Sequence, residues 1–193
     1  ALQQTNDNLI LIGGVSGAGK SACLRNLKKQ EGVLYLNCES GKKLPFRNKF
    51  ISKTVTDPYQ VFEGFNWAET NPDVHTIVID SVSFLMDMFV SVHIVGSADS
   101  RSQWQAYSEF FKQLMQQYVA KSTKNVIIIT HISEDVDEEK GIRTESAVVK
   151  GGLAKTGLEA YFSLNVTARA TPIKELDKHP SEYLNITDEE REI

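Results

Sequence analysis

Short apolar runs alternate along the chain with longer segments of helical periodicity. Four runs rich in β-branched residues predict buried strands, at residues 9–13, 33–37, 76–80 and 126–130. The segments between them predict helices, at residues 20–30, 58–70 and 102–121. Buried strands separated by helices are typical of a mostly parallel central sheet with helices on both faces. The pattern therefore predicts an α/β fold.

The helix predicted at 102–121 carries its large apolar side chains along one stripe, which consists of Trp104, Tyr107, Phe111, Leu114 and Tyr118. Spacing of this kind predicts burial against the sheet. Trp104, near the helix start, has an alternative role, because an aromatic ring there could stack on a nucleobase. Two long polar connections, at 91–101 and 132–152, predict functional loops, since loops of that length in a compact domain usually serve function.

Length and composition indicate one domain. With 193 residues, 41% of them hydrophobic, the chain can bury one sizeable core, and we expect a single domain over residues 1–193. The sequence begins without Met and stops soon after a strand-like run, so we expect that it was trimmed at one or both ends. No run approaches the roughly 20 apolar residues that cross a membrane, and residues 1–8 are polar rather than signal-like. We expect no membrane contact.

The two cysteines, Cys23 and Cys38, are too few and too ordinarily spaced for a disulfide framework or a metal site. We therefore expect both to be buried as small apolar residues, in a protein of the reducing cytoplasm.

Charge is distributed unevenly. The 21 basic and 25 acidic side chains give a net charge of −4, which argues against a surface generally attracted to nucleic acid. Any contact with nucleic acid must therefore be local. Residues 134–139 are almost wholly acidic, whereas residues 40–56 contain no acid and five bases: Lys42, Lys43, Arg47, Lys49 and Lys53. The simplest interpretation of each run is a solvated face.

The first apolar run leads directly into a complete phosphate-binding motif, G-x-x-x-x-G-K-[ST], in its required strand, loop and helix context. The backbone N–H groups of such a loop surround phosphate oxygens, and Lys20 is expected to reach the β and γ phosphates. Ser21 offers its hydroxyl to Mg²⁺. We therefore predict ATP and Mg²⁺ as cofactors. The expected nucleotide-binding residues are Gly14, Val15, Ser16, Gly17, Ala18, Gly19, Lys20, Ser21 and Ala22.

The apolar run at 76–80 ends in Asp80. A carboxylate at the end of such a strand can hold the water shell of the Mg²⁺ ion that Ser21 binds. The alternative is a carboxylate that only caps the helix that follows.

Beyond these two motifs the sequence resembles the RecA family. In that family the strand after the first helix ends in a glutamate that polarises the attacking water, and here the segment VLYLNCES carries Glu39. The resemblance implies that Glu39 is the general base, the alternative being an exposed acid at a strand end. The segment NVIIITHIS resembles the RecA strand between the phosphate-loop strand and the Asp strand. Its polar end, Thr130 and His131, could sense the γ phosphate, although a histidine without a sensing role is the alternative.

Residues 144–170 resemble the RecA segment in which a mobile DNA-binding loop closes on paired glycines and leads through a short helix into a strand. The resemblance implies that residues 132–150 form a DNA loop coupled to the γ phosphate through His131, with 91–101 as a companion loop. The implied DNA contacts are Arg101, Lys140, Arg143 and Lys150. Candidates for a charge donated to the ATP of a neighbouring subunit, which can accelerate phosphoryl transfer by about 10³ to 10⁵, are Lys150, Lys155 and Arg169.

Bacterial RecA has an amino-terminal assembly region and a separate carboxyl-terminal domain, and this chain has room for neither. It is therefore similar to the core-only RecA-like ATPases of bacteriophages, which act as single-strand annealing or recombination proteins. The resemblance implies an ATPase, stimulated by DNA, that binds single-stranded DNA as a homo-oligomeric ring or filament in the host cytoplasm. ATP-bound subunits would grip the strand and hydrolysis would loosen them, with a single-strand-binding protein as a further partner.

Two other functions stay open from the sequence. A small-molecule P-loop kinase would use the same loop, but such kinases usually close an arginine-rich segment over the phosphates, and residues 132–152 contain one arginine, Arg143. The other is a nucleotide-gated clamp or loader with little turnover. Tyr59, which follows Asp57 and Pro58, is a candidate adenine contact.

Overall fold

The computed structural model describes residues 6–137, 142–150 and 158–179, with residues 100, 134–137 and 142–144 described by their backbone. Its strands are β1 (Leu9–Gly14), β2 (Val33–Asn37), β3 (Ile51–Thr54), β4 (Thr76–Asp80), β5 (Asn125–Asp137), β6 (Ile142–Ala147) and β7 (Leu164–Thr167). The central sheet has the order β3-β2-β4-β5-β1-β7, and all of these neighbours are parallel. Only β6 differs, because it pairs antiparallel with the outer half of β5. The predicted α/β fold is confirmed.

The helices are α1 (Gln60–Thr70), α2 (Val82–Phe89), α3 (Ser100–Gln113) and α4 (Ile173–Leu176). Two of them continue as π-helical turns, α2 through Val90–Ile94 and α3 through Leu114–Val119. Short 3-10 helices span Ser21–Asn26, Gln30–Gly32 and Leu158–Tyr161. Within the described ranges, no helix combines the length and apolar character needed to cross a membrane.

The two faces of the sheet are covered in different ways. Successive residues of a strand point to opposite faces, so each central strand contributes to two separate cores. Helices α1, α2 and α3 cover one face, where rings such as Phe65, Phe89 and Phe110 are fully buried. The opposite face is covered mainly by Leu24 of the first 3-10 helix and by the connection between β2 and β3, which inserts Phe50. Helical packing is therefore concentrated on one face.

The helix predicted at 20–30 is wrong in length and type. A 3-10 helix ends at Asn26, and Lys29 then adopts a left-handed backbone conformation, with φ of 51°. Within the helix only Leu24 is buried. A short helix depends on packing for its stability, and one buried side chain cannot hold several turns. The expectation for the cysteines is also half wrong, because Cys38 is buried but Cys23 lies exposed on this helix.

The two connections predicted as long loops contain regular structure. The first connection is shortened to residues 95–99 by the π-helical turn before it and by α3 after it. Burial of Ile94 holds the turn, and the Asp99 carboxylate caps α3 by accepting from the Ser102 N–H. The second contains a β-hairpin, in which residues 132–137 pair with residues 142–147. Its polar sequence concealed this, since backbone hydrogen bonds between the two strands need no apolar side chains.

Most of the aromatic stripe on the predicted helix is core, as expected. Tyr107, Phe111 and Leu114 are fully buried, and Tyr118 stacks on Phe62 with ring centroids 4.3 Å apart. Trp104, at the start of α3, is 37% exposed.

Candidate nucleotide site

The phosphate-binding motif occupies the turn between β1 and the first 3-10 helix. Gly17 and Gly19 have φ of +79° and +87°, values that side chains with a Cβ rarely adopt. A Cβ at Gly14 would lie 2.8 Å from the carbonyl oxygen of Ala168, next to β7. The helix that follows is a short 3-10 turn, so its dipole is small, and the N–H groups of the loop itself are the main donors for phosphate.

Lys20 lies at the centre of this loop and is only 6% exposed. Its Nζ donates hydrogen bonds to the carbonyl oxygens of Gly14 at 2.9 Å and Val15 at 2.8 Å, and it lies 3.5 Å from His131 Nδ1. Burial lowers the pKa of Lys20, while the carboxylates of Glu39 and Asp80 raise it. A phosphate in the loop could replace these carbonyl acceptors and offer the ammonium a full negative charge.

Asp80 ends β4 directly beside the loop. Its Oδ2 accepts hydrogen bonds from Ser21 Oγ at 2.7 Å and from the Tyr35 hydroxyl at 2.8 Å. Its Oδ1 is buried and has no hydrogen-bond partner among the described residues. Burial raises the pKa of Asp80, which the two hydrogen bonds lower. The helix-capping alternative fails, because Ser81 Oγ accepts from the Phe84 N–H at the start of α2.

This arrangement fits Mg²⁺. Carboxylate and hydroxyl oxygens are ligands of this ion, which usually keeps several waters and binds one or two protein groups plus phosphate oxygens. Ser21 Oγ and the Asp80 carboxylate to which it donates offer such oxygens beside the loop. The described residues contain no cluster of three or more His, Cys, Asp or Glu side chains that would form a metal cage of protein groups alone.

Glu39, His131 and Lys20 form a continuous polar chain. His131 Nε2 lies 3.4 Å from Glu39 Oε1, and His131 Nδ1 faces the Lys20 ammonium. Because an ammonium can only donate, Nδ1 accepts, and the ring hydrogen then belongs on Nε2, where it can be donated to Glu39. The other carboxylate oxygen of Glu39 lies 3.3 Å from Lys42 Nζ, and the side chain is only 15% exposed.

His131 is held in place by α2. Its backbone N–H donates to Ser83 Oγ at 3.0 Å, and Ser83 Oγ also lies 3.1 Å from the hydroxyl of the buried Thr130. The ring of Phe84 packs edge-on against the imidazole with centroids 5.4 Å apart. The strand order places β5 between β1 and β4, as expected, so His131 pairs with Gly14 at the base of the phosphate loop.

These groups surround a cavity of about 300 Å³. The lining includes the phosphate loop with Asp80 and His131, and also Lys42, Lys43 and Tyr35. The sequence pattern alone did not assign Lys42, Lys43, Tyr35 or Ser83 to the site. The basic run at 40–56 was the available signal for the two lysines, whereas a tyrosine or serine within a buried segment gave none.

The other predicted site residues lie elsewhere. Arg169 pairs with Glu145, and Lys150 pairs with Asp87 of α2 at 2.7 Å. Arg101 lies exposed in the first turn of α3. Lys140, Lys155 and the side chain of Arg143 fall outside the described residues. Tyr59, the candidate adenine contact, packs against Phe62 and Phe110 and does not line this cavity.

The phosphate loop and the acidic end of β4 line one cavity at the carboxyl edge of a parallel sheet. This combination defines a P-loop ATPase. Residues 6–188 match the family model described as an AAA domain. The match covers more than half of the chain, and the protein therefore belongs to this family of nucleotide-binding ATPases.

Comparison with curated proteins gives no match. Among solved structures, this chain is similar to the pCW3 conjugation coupling protein TcpA, in its monomer form with ATPγS. The two are 16% identical with a TM-score of 0.40, over 64% of this chain and 42% of that one. The chain thus spans less than half of the length of that protein.

Proposed function

We propose that the protein is an ATPase of the RecA-like class that binds single-stranded DNA as an assembly of copies of this chain. ATP hydrolysis switches its affinity for the strand, and the assembly promotes annealing or homologous recombination. Membership of the AAA domain family supports the ATPase activity. Single-stranded DNA is the proposed partner because residues 144–170 resemble a DNA-binding segment of RecA.

One observation carries the proposal: β5 leaves the central sheet at His131. Residue 131 is the last one paired with β1, and residue 132 is the first one paired with β6. The same histidine contacts Lys20 and Glu39, and its carbonyl oxygen accepts the N–H of Val148 at 2.8 Å, where the hairpin returns. A change at the γ phosphate therefore reaches both strands of the hairpin through one residue.

The chemistry follows from the residues around the cavity. Water attacks the γ phosphorus, the bond to the bridging oxygen of ADP breaks, and Glu39 orients the water and accepts its proton. Lys20 exchanges its carbonyl acceptors for phosphate oxygens and stabilises the charge that builds up on them. Asp80 and Ser21 would hold Mg²⁺, which neutralises negative charge on the β and γ phosphates.

A DNA-binding surface is proposed at the start of α3. Arg101 and Trp104 are three residues apart on this helix and therefore share a face. The Trp104 ring contacts Tyr107 with centroids 5.3 Å apart, and the Tyr107 hydroxyl accepts the backbone N–H of Lys150 at 3.0 Å. An exposed aromatic ring thus shares a helix face with Arg101 and contacts a tyrosine that is bonded to the backbone of Lys150. Aromatic rings together with basic residues bind single strands by stacking and by phosphate contacts.

The switch is tested by measuring affinity for a fluorescent oligonucleotide with ATPγS, with ADP and without nucleotide. We expect the tightest binding with ATPγS, and an affinity that falls steeply with salt, because phosphate contacts release counterions. Equal affinity in all three nucleotide conditions would contradict the switch.

Phosphate release with and without single-stranded DNA separates the three candidate functions. We expect single-stranded DNA to stimulate phosphate release. A small-molecule kinase would show no stimulation and would need a metabolite acceptor, and a nucleotide-gated clamp would show negligible release under either condition.

The proposed surface is tested with a matched pair of tryptophans. Trp104 and Trp67 are 37% and 43% exposed, but Trp67 belongs to α1. We expect Trp104→Ala to cost about 1–3 kcal/mol of DNA-binding free energy, the value of one lost stacking contact, and Trp67→Ala to leave binding unchanged. An equal effect of both substitutions would place the DNA elsewhere.

A further inference from the structure

Tyr35 lies in the middle of β2, within the sheet, and yet its side chain reaches the nucleotide cavity. The residue is almost fully buried, and its ring packs against Phe50 with centroids 6.1 Å apart. The hydroxyl donates its hydrogen bond to Asp80 Oδ2 at 2.8 Å. This contact joins two neighbouring parallel strands, because residues 35 and 78 are partners in the β2 and β4 register.

The two oxygens of Asp80 are placed differently. Oδ2 accepts from both Tyr35 and Ser21, while Oδ1 is buried and without a partner among the described residues. Ser21 is also the hydroxyl that the phosphate-loop motif gives to Mg²⁺. If Ser21 Oγ bound the ion, the Tyr35 hydroxyl would still donate to Asp80 Oδ2.

We propose that Tyr35 is a positioning residue for Mg²⁺, which holds the Asp80 carboxylate through Oδ2 and so keeps its orientation toward the hydration shell of the ion constant. The inference deepens the proposed function, since it rests on the ATP site and not on the DNA partner. A carboxylate rotates easily about its last torsion, so one oxygen must be held if the other is to keep a constant direction. Groups that orient metal-binding side chains in this way typically change metal affinity by about 10- to 100-fold.

The surroundings suit Tyr35 to this task. The buried hydroxyl donates to Asp80 Oδ2, and an ionised carboxylate oxygen can only accept, which fixes the direction of this hydrogen bond. Phe50 limits the movement of the ring, so the donor has a defined position.

The test compares Tyr35→Phe with wild type in nucleotide binding. A fluorescent, nonhydrolysable ATP analogue is titrated in EDTA and over a series of Mg²⁺ concentrations, so that the readout is binding and not turnover. We expect the Mg²⁺ concentration for half-maximal tightening to rise about 10- to 100-fold, with affinity in EDTA unchanged. Tyr118→Phe is the control, because Tyr118 stacks on Phe62 away from the site and keeps its ring in this variant.

A double-mutant cycle with Asp80→Asn tests whether Tyr35 acts through the carboxylate. In the Asp80→Asn background, Tyr35→Phe should have no further effect on the dependence on Mg²⁺. An unchanged Mg²⁺ dependence in Tyr35→Phe overturns the inference, and so does an equal loss of affinity with and without the ion, which is what a structural role would produce. Wild-type protein that binds the analogue with Mg²⁺ but ignores DNA would instead contradict the proposed function alone.

Discussion

At the scale of single residues, both oxygens of the Glu39 carboxylate are engaged. One faces the imidazole of His131 and the other faces the ammonium of Lys42. A γ phosphate can also bind both of these donors. We therefore expect nucleotide to loosen one of the contacts and to free a Glu39 oxygen for the attacking water.

Replacing Glu39 by Gln should leave nucleotide binding intact and lower turnover. The amide keeps the shape of the side chain but cannot accept the proton, and positioned acid or base groups typically contribute about 10² to 10⁴ in rate. Phosphate release and analogue binding are measured on the same preparation. Glu31→Gln is the control, because Glu31 is exposed and pairs with Lys49. Normal hydrolysis by Glu39→Gln would remove Glu39 from the mechanism.

The two cysteines should differ in their reaction with a thiol reagent. Burial raises the pKa of Cys38 above its ordinary 9.0, so near neutral pH this thiol carries less thiolate than an ordinary cysteine. A thiol reagent should therefore label the exposed Cys23 while Cys38 stays unreactive in the folded protein. Cys23→Ser should abolish native labelling, and Cys38→Ser should preserve it. Modification of Cys38 without unfolding would contradict its burial.

At the scale of elements, β5 joins two different environments. Its first half lies between β1 and β4 and is buried, while β6 is the one strand that pairs with its second half among the described residues. After β6, Lys150 contacts both α2 and α3. Its ammonium pairs with Asp87 of α2, and its backbone N–H donates to the Tyr107 hydroxyl of α3. Lys150 thus has an intramolecular partner, and a role in DNA binding or in a neighbouring subunit would compete with it.

The ion pair between Lys150 and Asp87 should contribute modestly to stability. Both side chains are half-exposed, and such pairs are typically worth about 0.2–1 kcal/mol. A double-mutant cycle of Lys150→Ala and Asp87→Ala, followed by urea unfolding, measures this coupling. In the DNA assay, Lys150→Ala should weaken binding, whereas Asp87→Ala should preserve or strengthen it by freeing the lysine. Parallel losses in both variants would indicate a purely structural pair.

At the scale of the whole molecule, stability comes chiefly from the helical face of the sheet. The adjacent residues Leu85 and Phe84 of α2 test this, because Leu85 is fully buried and Phe84 is 43% exposed. Leu85→Ala should cost about 2–5 kcal/mol of unfolding free energy through lost burial and a cavity. Phe84→Ala should cost less, about 0.5–1.5 kcal/mol, because the loss is mainly its edge-on contact with His131. Chemical unfolding measures both, and similar costs would contradict this packing.

Much of this architecture was predictable from the sequence. Strands β1, β2 and β4 lie within one residue of their predicted positions, because buried parallel strands are continuous apolar runs. The short 3-10 helix and the β5–β6 hairpin were not predictable in the same way. The first lacks the packing that its helical sequence suggested, and the second depends on backbone pairing between polar segments.

The sequence by itself determined the α/β class, because apolar runs and helical segments alternate along the whole chain. It also determined the phosphate loop and the acidic end of β4, because each is encoded in a few consecutive residues. Only the tertiary structure decided which side chains meet. Tyr35 contacts Asp80 across 45 positions, and His131 contacts Glu39 across 92 and Lys20 across 111. Local hydrophobicity determines which residues are buried, whereas the order and register of parallel strands determine which of their ends lie side by side.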